Sequence, residues 1–320
     1  MKPAPVIQMP KTAVHAAANV AMVALLFGSM AVAVSAAPSQ PTTRGSSLPA
    51  LTVAFPKTYN RQETLQLYGH FLQSLAQCAK VEPVNLRGEP IADRVGAVDI
   101  LPESELLRHM KAGKLQLAQF TTGLVPVAAD TSDGEPYAVR GHTATGKYDI
   151  YELRLIVRAD STFKTPKDLV GSKIAHSTEK SNSGNLAPRA YFPTIGLLPD
   201  NNYKVAYSGG HERSIIGTQY GFWDAAAVAS DQFERMAKKG EIRADDFRVI
   251  WKSEPFPVES WVLNKQMAPE LRERIRNCTY SYRFPAQTSR LLDGADRFVP
   301  IDPDKAYAPV RFVLEKNRAP

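Results

Sequence analysis

The chain has 320 residues, 44% hydrophobic and 22% charged, with a formal net charge of +7. Its lysines and arginines are dispersed, with no block of the kind that marks a nucleic-acid tail, so no nucleic-acid partner is expected. Two cysteines and six histidines, with no HxxxH spacing, argue against zinc chemistry, and no metal is expected.

Lys2 and Lys11 precede an apolar run from Val20 to Val34, and Val34-Ser35-Ala36 offers small residues for cleavage before Ala37. Residues 1–36 therefore read as a signal peptide, which implies an exported, periplasmic protein. A retained anchor is the alternative, but the run is short for a span of about 20 residues. Removing this segment takes two Lys and no acids, so the charge falls from +7 to about +5. Residues 37–50 are rich in Ser, Pro and Thr and read as a flexible leader. The remainder exceeds the usual size of a single core, so two lobes are expected.

Leu51 to Phe55 is an apolar, β-prone run stopped by Pro56 and reads as a first strand. Asn60–Lys80 carries Leu65, Phe71, Leu72 and Leu75 at helical spacing. Val81–Leu86 is a candidate strand, Glu103–Met110 a helix ending near Gly113, and Leu115–Phe120 a strand running into Thr121-Thr122-Gly123. Tyr151–Val157 is a strong strand, and Pro166–Leu169 a short helix stopped at Gly171. Lys173–His176 is a strand feeding Ser181, with helix over Gly184–Ile195. Tyr203–Tyr207 is a strand feeding His211, with helix over Glu212–Tyr220. Trp223–Ser230 reads as a buried strand, with Asp231 as the N-cap carboxylate of the helix to Lys239. Strands at Arg248–Trp251 and Glu259–Leu263 and a helix at Pro269–Asn277 complete the pattern. Alternating strands and helices imply an α/β fold whose ligands sit at the carboxyl ends of strands.

The polar loops all fall at that end. Ser181-Asn182-Ser183-Gly184 and Ser208-Gly209-Gly210-His211 each leave a strand and open a helix, where free N–H groups can hold an oxyanion. Taken singly, the serines are also ordinary helix caps and His211 an ordinary loop histidine. Thr121 and Thr122 add hydroxyls at another strand end. Asp231 and Glu259 stand at element boundaries, and either is a plain cap or surface acid unless it faces the pocket. A carboxylate there repels a fully ionised ligand and suits one bearing a proton or an ammonium group. No GxSxG elbow, GxxxxGK[ST] loop or dinucleotide glycine motif is present, so neither an enzyme nor a cofactor is expected. Cys78 falls in the predicted helix Leu65–Ala79, and Cys278 directly follows the helix Pro269–Asn277. An exported chain with two cysteines forms one disulfide or none, and both remain open.

From about Tyr151 to Asn277 these pieces together resemble the phosphate/phosphite/phosphonate periplasmic binding proteins, the PhnD-like solute receptors of ABC importers. The resemblance rests on Asp168-Leu169, Ser181-Asn182-Ser183-Gly184, Gly-Leu-Leu-Pro at 196–199 and Gly209-Gly210-His211-Glu212. It continues through Trp223–Asp231 and Val249-Ile250-Trp251-Lys252-Ser253 with Pro257. It implies a two-lobed type II periplasmic binding protein fold, each lobe a mainly parallel sheet flanked by helices. Lobe I would be 51–147 plus 257–320 and lobe II 148–256, which brings Cys78 and Cys278 into one lobe.

Carried over, the ligand roles fall on Ser181, Asn182, Ser183, His211, Asp231 and Glu259. Asn182 stands where the family usually has Thr. In the first lobe, Gly113-Lys114-Leu115-Gln116 and Phe120-Thr121-Thr122-Gly123 depart from the family pattern, and no tyrosine matches its ligand contacts there. The implied function is capture of a small phosphorus oxyanion by a monomer that closes on it and delivers it to a membrane permease. A sensor of a membrane receptor kinase, or an exported enzyme acting on phosphorylated small molecules, are the alternatives.

Overall fold

The computed structural model describes residues 48–318; the expected signal peptide and residues 37–47 of the leader lie outside them. Strand β1 (Ala50–Pro56) leads into helix α1 (Arg61–Ala79). Asn60 caps α1 by accepting from the Glu63 N–H, while the Glu63 side chain returns to the Asn60 N–H. Then follow β2 (Glu82–Val84), β3 (Ile100–Leu101), α2 (Glu103–Lys111), β4 (Leu117–Phe120), α3 (Val125–Thr131) and β5 (Gly134–Gly141). The expected strand Tyr151–Val157 is two, β6 (Ile150–Tyr151) and β7 (Leu153–Arg158), because Glu152 donates its N–H to Ser230 Oγ instead of to a strand.

Next come β8 (Lys173–His176), a π-turn over Asn182–Leu186, α4 (Ala187–Tyr191), β9 (Lys204–Tyr207) and α5 (His211–Gln219). They are followed by β10 (Ala225–Ala229), α6 (Ser230–Lys238), β11 (Phe247–Lys252), β12 (Phe256–Pro257) and β13 (Ser260–Asn264). The chain ends with α7 (Pro269–Ser281), α8 (Ala286–Leu291), β14 (Arg297–Pro300), α9 (Pro303–Ala306) and α10 (Ala308–Arg318).

Two sheets form, one of seven strands in the order β14-β5-β13-β4-β1-β2 with β3 on β1, the other of five in the order β11-β7-β10-β8-β9. In the seven-stranded sheet β1 to β5 share a direction and β13 and β14 oppose it; in the five-stranded sheet only β7 runs against the rest. Most strands in each sheet share a direction, but half of the pairings are antiparallel, so the sheets are mixed rather than mainly parallel as expected. β7 and β13 oppose their neighbours for a topological reason, since each enters its sheet directly from the other through a short connecting strand. Those connectors, β6 and β12, pair with each other antiparallel, and the Tyr151 and Phe256 rings pack 5.5 Å apart.

Each sheet is covered on both faces, as parallel strands require. Behind the larger sheet, Phe55, Tyr68, Phe71, Trp261, Tyr282 and Phe298 form one buried cluster with ring centroids 4.8–6.3 Å apart, a spacing that adds to simple burial. At its edge a disulfide joins Cys78 of α1 to Cys278 of α7, with Cα atoms 5.8 Å apart. Helix α10 touches both halves. Arg311 pairs with Asp130 of α3 at 2.6 Å, while Asn317 donates to the Leu186 carbonyl and Phe312 packs on Tyr191.

Candidate functional site

Three loops at the carboxyl ends of β8, β9 and β10 converge. In the first, the carbonyl of Ser181 accepts from the Asn185 and Leu186 N–H groups, and Ser181 Oγ accepts from the Gly184 N–H at 3.1 Å. The turn starts at Asn182, so the N–H groups of its first residues have no partner inside it. Gly184 is required by space, because a Cβ there would sit 1.9 Å from Ser177 Oγ and 2.8 Å from Ser181 Oγ.

Beneath the turn lies His176, fully buried. Asn185 gives its Nδ2–H to the Glu179 carbonyl at 2.7 Å, so its Oδ1 must accept from His176 Nδ1–H at 2.8 Å. His176 Nε2 is then the acceptor for the Tyr203 hydroxyl at 3.0 Å. The ring is neutral, and burial pulls its pKa down to about 4.

The second loop brings His211. Gly209 turns the chain at φ +86, a left-handed conformation suited to glycine, and its N–H is anchored on the Ser177 carbonyl at 2.8 Å. His211 is the first residue of α5, and its Nδ1 accepts from the Ala229 N–H at 3.3 Å. The ring proton therefore stands on Nε2, which lies 3.3 Å from Ser181 Oγ and 3.5 Å from Ser183 Oγ. Burial and the nearby Arg235 hold the His211 pKa down at about 4, so this donor carries no charge. Ser181, Ser183 and His211 thus form one cradle, with Ser183 Oγ buried in its wall.

Asp231 is not the N-cap that the sequence suggests. Helix α6 begins one residue early, at Ser230, and Ala229 occupies the cap position without a side-chain bond. Asp231 sits in the first turn with Oδ1 buried and unpartnered, and burial, reinforced by Glu259, raises its pKa. Glu259 follows β12 and accepts from Arg140 Nη1 at 3.2 Å, while Arg140 Nε donates to Asp149 at 2.7 Å. Burial alone would lower the Arg140 pKa, but Glu259 and Asp149 raise it well above its ordinary value. Thr121 gives its hydroxyl proton to Glu103 at 2.8 Å and Thr122 gives its own to the Pro257 carbonyl at 2.9 Å. Both hydroxyl protons are thereby committed within the protein.

Asn182 lies where the two halves meet, since a Cβ on Gly123 would stand 3.7 Å from Asn182 Cβ. Its Nδ2 donates to the Tyr151 hydroxyl at 3.0 Å. Five residues at the site escaped the sequence reading. Tyr59 and Tyr68, whose pKa values burial and then Glu259 push up, stand near Arg140 in the first lobe; Arg140 itself bridges the acids; Tyr151 and Arg235 complete the set. Tyr59 follows the carboxyl end of β1, where ligands of such sheets are found, and that position was a usable signal. A separate open groove of about 640 Å³ lies beside the cradle, lined by Lys180, Tyr207 and Arg213 among others. Among the described residues, no cluster of His, Cys, Asp or Glu could hold a metal, and no helix is long and apolar enough to cross a membrane.

The profile of the family described as "ABC transporter, phosphonate, periplasmic substrate-binding protein" matches residues 98–307, which include every one of the ligand residues named above for the two loops, Asp231 and Glu259. The chain belongs to this family. A phosphonates-binding periplasmic protein of Escherichia coli K12 is 21% identical over 194 residues, or 59% of this chain and 56% of that protein. The chain spans about half the length of the curated relatives it matches. Among solved structures, a binding protein component of an ABC phosphonate transporter from Pseudomonas aeruginosa superposes with a TM-score of 0.63 at 20% identity, covering 85% of this chain and 87% of that one. A Prochlorococcus marinus protein in complex with methylphosphonate gives 0.62 at 16% identity, covering 84% of this chain and 98% of that one. At these identities the likeness to solved structures establishes the fold, the two-lobed type II periplasmic binding protein.

Proposed function

We propose that the protein is exported by residues 1–36, captures a small phosphorus oxyanion (phosphonate, phosphite or phosphate) between its lobes, and delivers it to the permease of an ABC importer. Lobe I comprises 51–147 plus 257–320 and lobe II 148–256, with β6 and β12 as the hinge. One observation carries the reading. His211 Nε2–H, held in its tautomer by the Ala229 N–H, lies against the hydroxyls of Ser181 and Ser183, so neutral donors converge on one point. Such a cradle stabilises an anion without a countercharge. Asp231, Glu259 and Arg140 close the other side, where the acids suit a ligand whose substituent carries a donor such as an ammonium group.

The protein performs capture rather than reaction. Ligand bridging the lobes favours the closed state by its contacts to both, and the closed state is what a permease recognises. Calorimetry with methylphosphonate, phosphite, phosphate and 2-aminoethylphosphonate tests the reading. At least one should bind, and Ser183→Ala or His211→Ala should weaken that binding by about 1.5–3 kcal/mol, the value of a hydrogen bond to a charged group. Unchanged affinity in both variants would refute the cradle.

A further inference from the structure

The two loops that build the cradle also line the open groove of about 640 Å³ beside it. Ser177 and Lys180 from the first loop, and Tyr207, Gly209 and Arg213 from the second, stand in its walls. Groove and cradle meet back to back. A Cβ on Gly184 would lie 1.9 Å from Ser177 Oγ in the groove wall and 2.8 Å from Ser181 Oγ in the cradle. The Ser177 carbonyl accepts from the Gly209 N–H at 2.8 Å, which ties the two walls together. Lys180 is the chain neighbour of Ser181, and Arg213 follows His211 within one helical turn.

The groove and the rest of the site differ in charge. Lys180 and Arg213 are exposed, and among the described residues neither side chain has an ion-pair or hydrogen-bond partner. Arg189 reaches the groove through the Tyr207 hydroxyl, but Asp200 balances it at 2.9 Å. Glu179 also lines the groove, so two free cations stand against one carboxylate. On the other side of the cradle the balance is reversed. There Asp231, Glu259 and Asp149 stand against Arg140 and Arg235. An approaching anion is therefore attracted from the groove side.

Resting on the proposed function above, we propose that this groove is a capture site for oxyanions on their way to the cradle. Lys180 and Arg213 draw in a phosphonate or phosphate and set how fast it binds; the neutral donors of Ser181, Ser183 and His211 set how long it stays. The division follows from the physics of exposed charge. Water and salt leave an exposed ion pair little worth in affinity, but its attraction acts before contact and raises the rate of encounter. That attraction reaches about 8 Å at physiological ionic strength and about 30 Å at 0.01 M. Both cations therefore act on an anion at the cradle without touching it.

The test measures association and dissociation rates by stopped flow on the full mature chain, with whichever of methylphosphonate, phosphite and phosphate binds tightest. At about 0.01 M salt, Lys180→Gln with Arg213→Gln should slow association at least about fivefold and leave dissociation within about twofold. The native rate should also fall more steeply with added salt than that of the double variant. The control removes two exposed cations elsewhere, Lys265→Gln with Arg274→Gln. Lys265 follows β13, which opposes β4 and so ends away from the carboxyl ends, and Arg274 lies on α7 behind the larger sheet. This control should change association less than about twofold. An equal loss in the control would mean that net charge alone steers the ligand, and would overturn the inference. So would an unchanged association rate in the groove variant, or a loss confined to dissociation, which would make the two cations ligand contacts. Failure of all three anions to bind would instead refute the proposed function, and this inference with it.

Discussion

At the scale of single residues, the site is an exercise in placing protons. His176 and His211 are both neutral, and in each the tautomer follows from a neighbour that can play only one role. His176 carries a consequence for stability. Its folded pKa of about 4 lies below its value near 6.5 in an unfolded chain, so between these values the unfolded state binds more protons. The stabilisation is complete above about pH 6.5 and is lost as pH falls toward 4, at about 1.4 kcal/mol per pH unit for this one group. Denaturant titrations at pH 6.5 and 5 should show the native chain losing more stability than His176→Gln by that slope. Equal slopes would mean that the ring is not held neutral. The serines and His211 were legible in the sequence because small polar residues between a strand and a helix have few other uses in such number. Arg140 was not, because its two partners, Asp149 and Glu259, lie 9 and 119 residues away and only the topology brings them to it.

Among elements, the sequence located the central βα units closely, since each is a short apolar run ended by glycine or a polar loop. Where it erred, hydrogen bonding was the cause. Ser230 takes the Glu152 N–H, which breaks the long strand into β6 and β7 and lets α6 begin ahead of Asp231. The stretch that contains α3 and β5, and the tail from α8 to α10, yield no element from the sequence; β5 is held between β13 and β14, and α10 packs on α4. The disulfide ties two helices across a sequence separation of 200 residues, a long loop whose closure strongly restricts the unfolded chain. Intact mass under non-reducing conditions should show the oxidised form. Cys78→Ser with Cys278→Ser should cost about 2–5 kcal/mol in urea denaturation while leaving ligand affinity unchanged. Loss of affinity instead would mean that the α1–α7 junction shapes the cleft.

For the molecule as a whole, two sheets are joined by a pair of two-residue strands, which is where the proposed closure would bend the chain. Of the strands that oppose their sheets, β7 and β13 are the ones that enter from the other half, so their direction is a record of the two passages. Helix α10 contacts both halves, through Arg311 to Asp130 and Asn317 to Leu186. The acids and Arg140 gather at the same crossing, next to β6 and β12, where Glu259 and Arg140 act electrostatically on Asp231. The most direct test is a crystal structure of the mature chain with methylphosphonate. The phosphonate should lie between the lobes with its oxygens within hydrogen-bonding distance of Ser183 Oγ and His211 Nε2. Density for it in the outer groove beside Lys180 and Arg213, with the cradle unchanged, would contradict the account.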